Sequence, residues 1–132
     1  MDSTAEGSKS LKKIFAAILI IFTFNTAQAS HYYLQLEKVK QIGKQIAILS
    51  YCIENVWLKE SAPKFVKLRD ELRGFDYSYE VKNGIPDNIA NEAFIKGVDV
   101  GTGMAHTYRY DRSRCIEHYV TSVKFLASEK QE

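Results

Sequence analysis

Apolar residues recur at helical intervals in four stretches of this chain, each bounded by polar or glycine-proline punctuation. From Leu36 to Trp57, the residues Val39, Ile42, Ile46, Leu49, Ile53 and Val56 fall alternately three and four apart. That spacing lays one apolar stripe along a helix, with Lys38, Lys40, Lys44, Gln45 and Glu54 off it. Cys52 borders the buried face, and Gly43 is the weak point of the pattern. The helix should stop near Lys59, because Ser61-Ala62-Pro63 offers an N-cap and a first-turn proline for the next one.

The second stretch carries Phe65, Leu68, Leu72, Phe75 and Tyr79 on one face, with Lys64, Lys67, Arg69, Asp70, Glu71 and Arg73 on the other. After Gly74 the alternation Phe75, Tyr77, Tyr79, Val81 before Asn83-Gly84 also resembles a strand entering a tight turn. Nothing after Gly84 alternates to pair with it, so the spacing predicts helix to about Lys82. Pro86-Asp87 opens a third, short helix with Ile89, Ala90, Ala93 and Phe94 inward, closed by Gly97. Val98–Tyr110, with Gly101 and Gly103, reads as an irregular loop. Asp111 caps a fourth helix whose buried stripe is Cys115, Ile116, Tyr119, Val120, Val123 and Leu126. The tail after Ser128 is polar and expected to fray. The fold class expected is all-α, a small four-helix, bundle-like domain. Ile42, Ile46, Leu49, Leu68, Leu72, Phe94, Tyr119 and Val123 should share its core; if they did not, an interface between subunits would be the first alternative.

Length and composition narrow the picture further. The chain has 132 residues, 45% hydrophobic and 26% charged, with a net charge of +2. This is one domain, with no electrostatic footprint for nucleic acid. The N-terminus has Lys9, Lys12 and Lys13, an apolar run Ile14–Phe24, then Ala27-Gln28-Ala29, the layout of a secretory signal peptide. As a helix the run would rise only about 16 Å, roughly half a bilayer core, so an anchor is disfavoured. Residues 1–29 are therefore read as the signal peptide and 30–132 as a single exported domain, free of the membrane after cleavage. Residue 30 is Ser, so the cleavage point offers no thiol for a lipid anchor. Cys52 and Cys115 both fall in the exported part, and an oxidising compartment makes a disulfide between them the leading reading. A loop of that length should gain about 4 kcal/mol from closure.

Candidate chemistry is sparse. Gly101-Thr102-Gly103 hints at a phosphate loop, but His106 replaces the third glycine and no strand precedes it. Ser61-Ala62-Pro63-Lys64 matches a serine–lysine pattern without the larger frame such enzymes need, so a helix cap is the better reading. Cys115 and His118 share a helix face, yet a metal needs more ligands and a thiolate needs a free cysteine. His118 reads as an ordinary, partly exposed residue. The expectation is no enzyme, no metal and no cofactor. Tyrosine is abundant, with eight in the chain. Tyr77, Tyr79, Tyr108 and Tyr110 lie among charges such as Asp76, Glu80, Asp99 and Arg109. Such a mixture fits a protein-binding surface as well as it fits rings covering a small core.

The layout also resembles a known family. Ile48-Leu49-Ser50-Tyr51-Cys52-Ile53, Leu68-Arg69-Asp70 and Arg114-Cys115-Ile116-Glu117-His118-Tyr119 resemble three segments of the periplasmic immunity proteins that neutralise peptidoglycan amidase effectors of the bacterial type VI secretion system. The resemblance spans nearly all of residues 30–132. It implies an all-helical protein, usually a homodimer, that plugs the amidase groove with a protruding loop and needs no cofactor. The expected contacts are Asp76, Tyr77, Tyr79 and Glu80, or the loop with Asp99, His106, Tyr108, Arg109 and Tyr110. In the loop, Asp99 would meet the histidine of a cysteine–histidine amidase centre. Two other classes stay open: a small disulfide-stapled periplasmic chaperone or stress protein, and a carrier of a small apolar ligand.

Overall fold

The computed structural model describes residues 31–56, 60 and 62–131. Residues 1–29 and Ser61, which carry the signal-peptide and cap expectations, lie outside the described residues. The chain divides into two units, 1–33 and 34–132, and the fold described here belongs to the second. It consists of four helices: α1 (Tyr33–Asn55), α2 (Ala62–Lys82), α3 (Asp87–Thr107) and α4 (Arg112–Lys130). Among the described residues there is no strand, so the tyrosine-rich segment before Asn83-Gly84 is the helical end of α2.

Contacts fix the directions. Lys38 and Glu129 form an ion pair at 2.7 Å, while Cys52 and Cys115 are bonded with their Cα atoms 5.9 Å apart, so α1 and α4 run antiparallel. Gly97 lies on Lys40 and Gly101 on Lys44, which sets α3 parallel to α1. The Lys38 ammonium lies 5.5 Å from the centre of the Tyr79 ring, which sets α2 antiparallel to it. The result is an up-down-up-down bundle.

α1 is its axis. Besides the expected Val39, Ile42, Ile46 and Leu49, it buries Gly43, Gln45, Ala47, Ile48 and Cys52. A helix covered on nearly every side is central to its domain. Phe65, Leu68 and Leu72 of α2 and Leu126 of α4 complete the cluster, with Phe94 and Tyr119 packed partly buried against it. The Phe65 ring stacks on Tyr119 at 5.0 Å between centroids. Seven of the eight expected core residues are thus in place, and Val123, 40% exposed, is the exception.

Three expectations are corrected. The third helix does not close at Gly97, and Val98–Tyr110 is not a loop: α3 continues to Thr107. Gly97, Gly101 and Ala105 recur every four residues and are all buried. A methyl group at Gly97 would overlap the Lys40 carbonyl, and one at Gly101 the Lys44 carbonyl. Gly43 is likewise no weak point, since a methyl there would overlap the Phe94 carbonyl. These glycines let two helix backbones touch, and burial outweighs their poor helix propensity of roughly 1 kcal/mol each. The second correction is on α4, where Cys115, Ser122 and Leu126 are buried but Ile116, Val120 and Val123 face out. The third is the tail: α4 runs to Lys130, and the Lys38–Glu129 ion pair ties its last turn to α1.

Candidate binding surface

Of the nine residues expected to bind, eight fall at opposite ends of the bundle. Asp76, Tyr77, Tyr79 and Glu80 sit at the last turns of α2, near the start of α1. His106, Tyr108, Arg109 and Tyr110 cluster at the α3–α4 connection, beside the disulfide. Asp99 is exposed on α3, eight positions before its end. That is about 12 Å of helix from the turn, so Asp99 does not belong to it.

At the α2 end, the structure corrects the expectation of a free acidic contact. Asp76 is only 7% exposed, and its Oδ1 has no hydrogen-bond partner. Burial, reinforced by the carboxyl of Glu80, pushes its pKa up to about 8, so the group is held as a neutral acid at pH 7. Tyr79 stacks on Phe75 at 6.0 Å between ring centres and is half-buried, as is Glu80. Of these four, Tyr77 alone is well exposed, at 72%.

The α3–α4 turn is built differently. α3 ends with a pair of backbone bonds: the Arg109 N–H donates to the His106 carbonyl at 3.3 Å, and the Tyr110 N–H to the Ala105 carbonyl at 3.1 Å. This is the Schellman closure, in which the residue after the cap adopts the left-handed conformation. α2 closes the same way, with Gly84 (φ +62°) in that position and Ile85 N–H donating to the Glu80 carbonyl. In α3 the position is held by Arg109, with φ 46°. Glycine takes this conformation freely, whereas an L side chain costs roughly 1–2 kcal/mol there. Arginine is therefore kept where the backbone would favour glycine.

The surroundings hold this turn firmly. Asp111 caps α4, its Oδ1 accepting from the Arg114 N–H at 2.9 Å, as the sequence indicated. The Arg114 guanidinium lies 5.6 Å from the ring centres of both Tyr108 and Tyr110, within cation–π range of each. The disulfide joins the first turn of α4 to the last turns of α1. His106, on the last turn of α3, meets the Tyr51 ring edge-on at 4.9 Å. Tyr108 is 59% exposed, and Arg109 is exposed, its side chain in no hydrogen bond or ion pair among the described residues.

Next to the turn, a polar cavity of about 310 Å³ is lined by Tyr110, Arg114, Glu117, His118 and Thr121. His118 is more constrained than its sequence context indicated. Its Nε2 lies 3.3 Å from the Gln45 carbonyl, which can only accept, and 3.4 Å from the Ser122 hydroxyl. Burial lowers its pKa, outweighing that hydrogen bond, so the ring is neutral at pH 7. Arg114, Tyr51 and His118 were not among the expected contacts. Arg114 was legible in principle, since Tyr110 and Arg114 are four apart, but the register of the turn is needed to see it between two rings. Gly101-Thr102-Gly103 lies inside α3 and forms no loop. Among the described residues, no group of three His, Cys, Asp or Glu could hold a metal ion.

In comparison with known proteins, the chain matches no family model, no curated protein and no solved structure.

Proposed function

We propose that this chain is a periplasmic immunity protein that binds and blocks a peptidoglycan amidase effector of a type VI secretion system, with Tyr108-Arg109-Tyr110 as its contact element. The carrying observation is Arg109, held exposed in a left-handed backbone position between two tyrosines. A strained, exposed arginine is a recurrent mark of a functional contact, and Tyr and Arg are the residues that most often dominate binding energy. The fixed turn supports the same reading, because a preformed element loses little freedom when it docks. The resemblance in the two cysteine segments supplies the class of partner, and the signal-like N-terminus the place of action.

In this reading the contact is a rigid turn and not a reaching loop. Tyr108 contributes area, Arg109 pairs with an anionic or carbonyl group in the enzyme's groove, and Asp99 lies outside the contact. Replacing Tyr108 and Arg109 together by Ala should leave helicity intact and weaken binding by about 2 kcal/mol. The test is survival of cells that export the amidase encoded by the neighbouring reading frame, with wild-type or doubly substituted protein. Equal protection by both removes the turn from the mechanism. Protection by neither, with both proteins folded in the periplasm, removes the immunity reading for that enzyme.

A further inference from the structure

A second cavity, of about 240 Å³, opens where α1, α2 and α3 meet, and none of Tyr108, Arg109 and Tyr110 lines it. Its base is apolar: Ile46 and Ala47 of α1 are buried, with Phe94 and Val98 of α3 half-buried beside them. Its edge is charged. Arg73 of α2 and Glu54 of α1 line it as exposed side chains, and they form no ion pair with one another among the described residues. Arg73 meets Asp70 only at 4.0 Å, and Glu54 is in no ion pair among the described residues. Asn55 donates from Nδ2 to the Tyr51 carbonyl at 3.1 Å, which leaves its Oδ1 as an acceptor on the same edge. An apolar base with a few polar groups at the mouth, set between the helices of a bundle, is the makeup of a small-molecule site.

We propose that this cavity binds a free α-amino acid with a branched aliphatic side chain. The volume is about that of eight waters, which suits a molecule of roughly eight to ten non-hydrogen atoms. The aliphatic group lies on Ile46, Ala47 and Val98, Arg73 takes the carboxylate, and Glu54 with the Asn55 Oδ1 takes the ammonium. An amino acid carries its two opposite charges on one carbon next to its apolar group, and the cavity offers one cation and one anion at the edge of one apolar base. A simple carboxylic acid would leave Glu54 unmatched, and an amine would leave Arg73 so. The side chain of a protein partner would fill the base and leave both charges without a counterpart. The inference uses no residue of the contact turn and is independent of the amidase reading.

The experiment is titration of the exported domain with leucine, as either enantiomer, followed by amide NMR shifts, with helicity and Tm recorded for every variant. Saturable binding of at least one enantiomer is expected, with the largest shifts around Val98 and Thr102. Glycine, which lacks the apolar group, should not bind. N-acetylleucine and leucinamide each lack one charge and should bind roughly tenfold more weakly, since each loses a charge-assisted contact. Arg73→Gln should erase the preference for leucine over leucinamide, and Glu54→Gln the preference over N-acetylleucine. Thr102, which lines the cavity as an exposed residue of α3, gives the blocking variant: Thr102→Trp should abolish binding with helicity intact. Absence of saturable binding by both enantiomers at millimolar concentration overturns the proposal, as does binding untouched by Thr102→Trp. If N-acetylleucinamide, which carries neither charge, binds as tightly as leucine, the cavity takes an apolar side chain and not an amino acid, and the proposal falls.

Discussion

Arg109→Gly should move stability and binding in opposite directions. The left-handed conformation at φ 46° costs an L residue roughly 1–2 kcal/mol, and glycine is released from that cost. Glycine in turn gives up about 0.5–1 kcal/mol more backbone entropy on folding. The difference leaves a net gain of about 0.5–1 kcal/mol, or roughly 2–8 °C in Tm for a domain near 100 residues. Arg109→Ala is the control, because alanine keeps the strain and should leave Tm nearly unchanged. Both variants delete the guanidinium and should weaken binding to the proposed amidase partner by about 1 kcal/mol, roughly fivefold in Kd. Thermal unfolding and titration calorimetry on the three proteins read both quantities. If glycine is no more stable than alanine at this position, the turn is not strained as argued. If both variants bind as tightly as wild type, Arg109 is no contact and the strain has another origin.

Further outcomes follow from the packing and the buried titrating groups. Gly97→Ala should destabilise by about 1–3 kcal/mol through overlap with the Lys40 backbone, whereas Gly103→Ala, whose added methyl meets nothing within 4 Å, should stabilise by about 0.5–1 kcal/mol; chemical denaturation distinguishes the two. Asp76 is held neutral by the fold, so the wild type loses stability as pH rises from 3.8 through about 8. Asp76→Asn removes that loss, and its Tm advantage should open across this window and level off above it. His118 has the opposite slope: its depressed pKa means that stability falls as pH drops below 6.5 towards the folded-state value, and its imidazole resonance should titrate below 6.5 by NMR.

The helices of this fold were legible where one face is apolar and the other charged. The α1 and α2 stripes, the Pro86 entry to α3 and the Asp111 cap all follow from local pattern. Reading failed where the same residue type serves two physical ends. Gly97 and Gly101 look like chain breakers until a second helix is set against them, and only then does the missing side chain become the reason for the contact. On α4, Ile116, Val120 and Val123 have the hydrophobicity of a core stripe, but the core takes the neighbouring face through Cys115, Ser122 and Leu126. Periodicity says that a helix has an apolar face and is silent on whether there are two. At the α3–α4 turn, Tyr108, Arg109 and Tyr110 were visible as candidates by composition. The left-handed backbone that sets Arg109 apart follows from how α3 ends, and that end was misplaced. Asp76 was chosen for its charge, which burial removes.

The Cys52–Cys115 bond has a consequence for damage to the molecule. It closes a covalent ring whose two cysteines are 63 positions apart in sequence, and the turn at Arg109 lies inside that ring. Arg109 is an exposed arginine outside the helices, a position open to a trypsin-like protease. Such a nick would disarm the turn, yet the severed piece carries Cys115 and would stay attached. On a non-reducing gel the nicked protein would migrate as one chain, and it would separate into two only after reduction. Loss of the proposed contact can therefore precede any visible loss of protein, and intact mass under oxidising conditions is no measure of an intact turn.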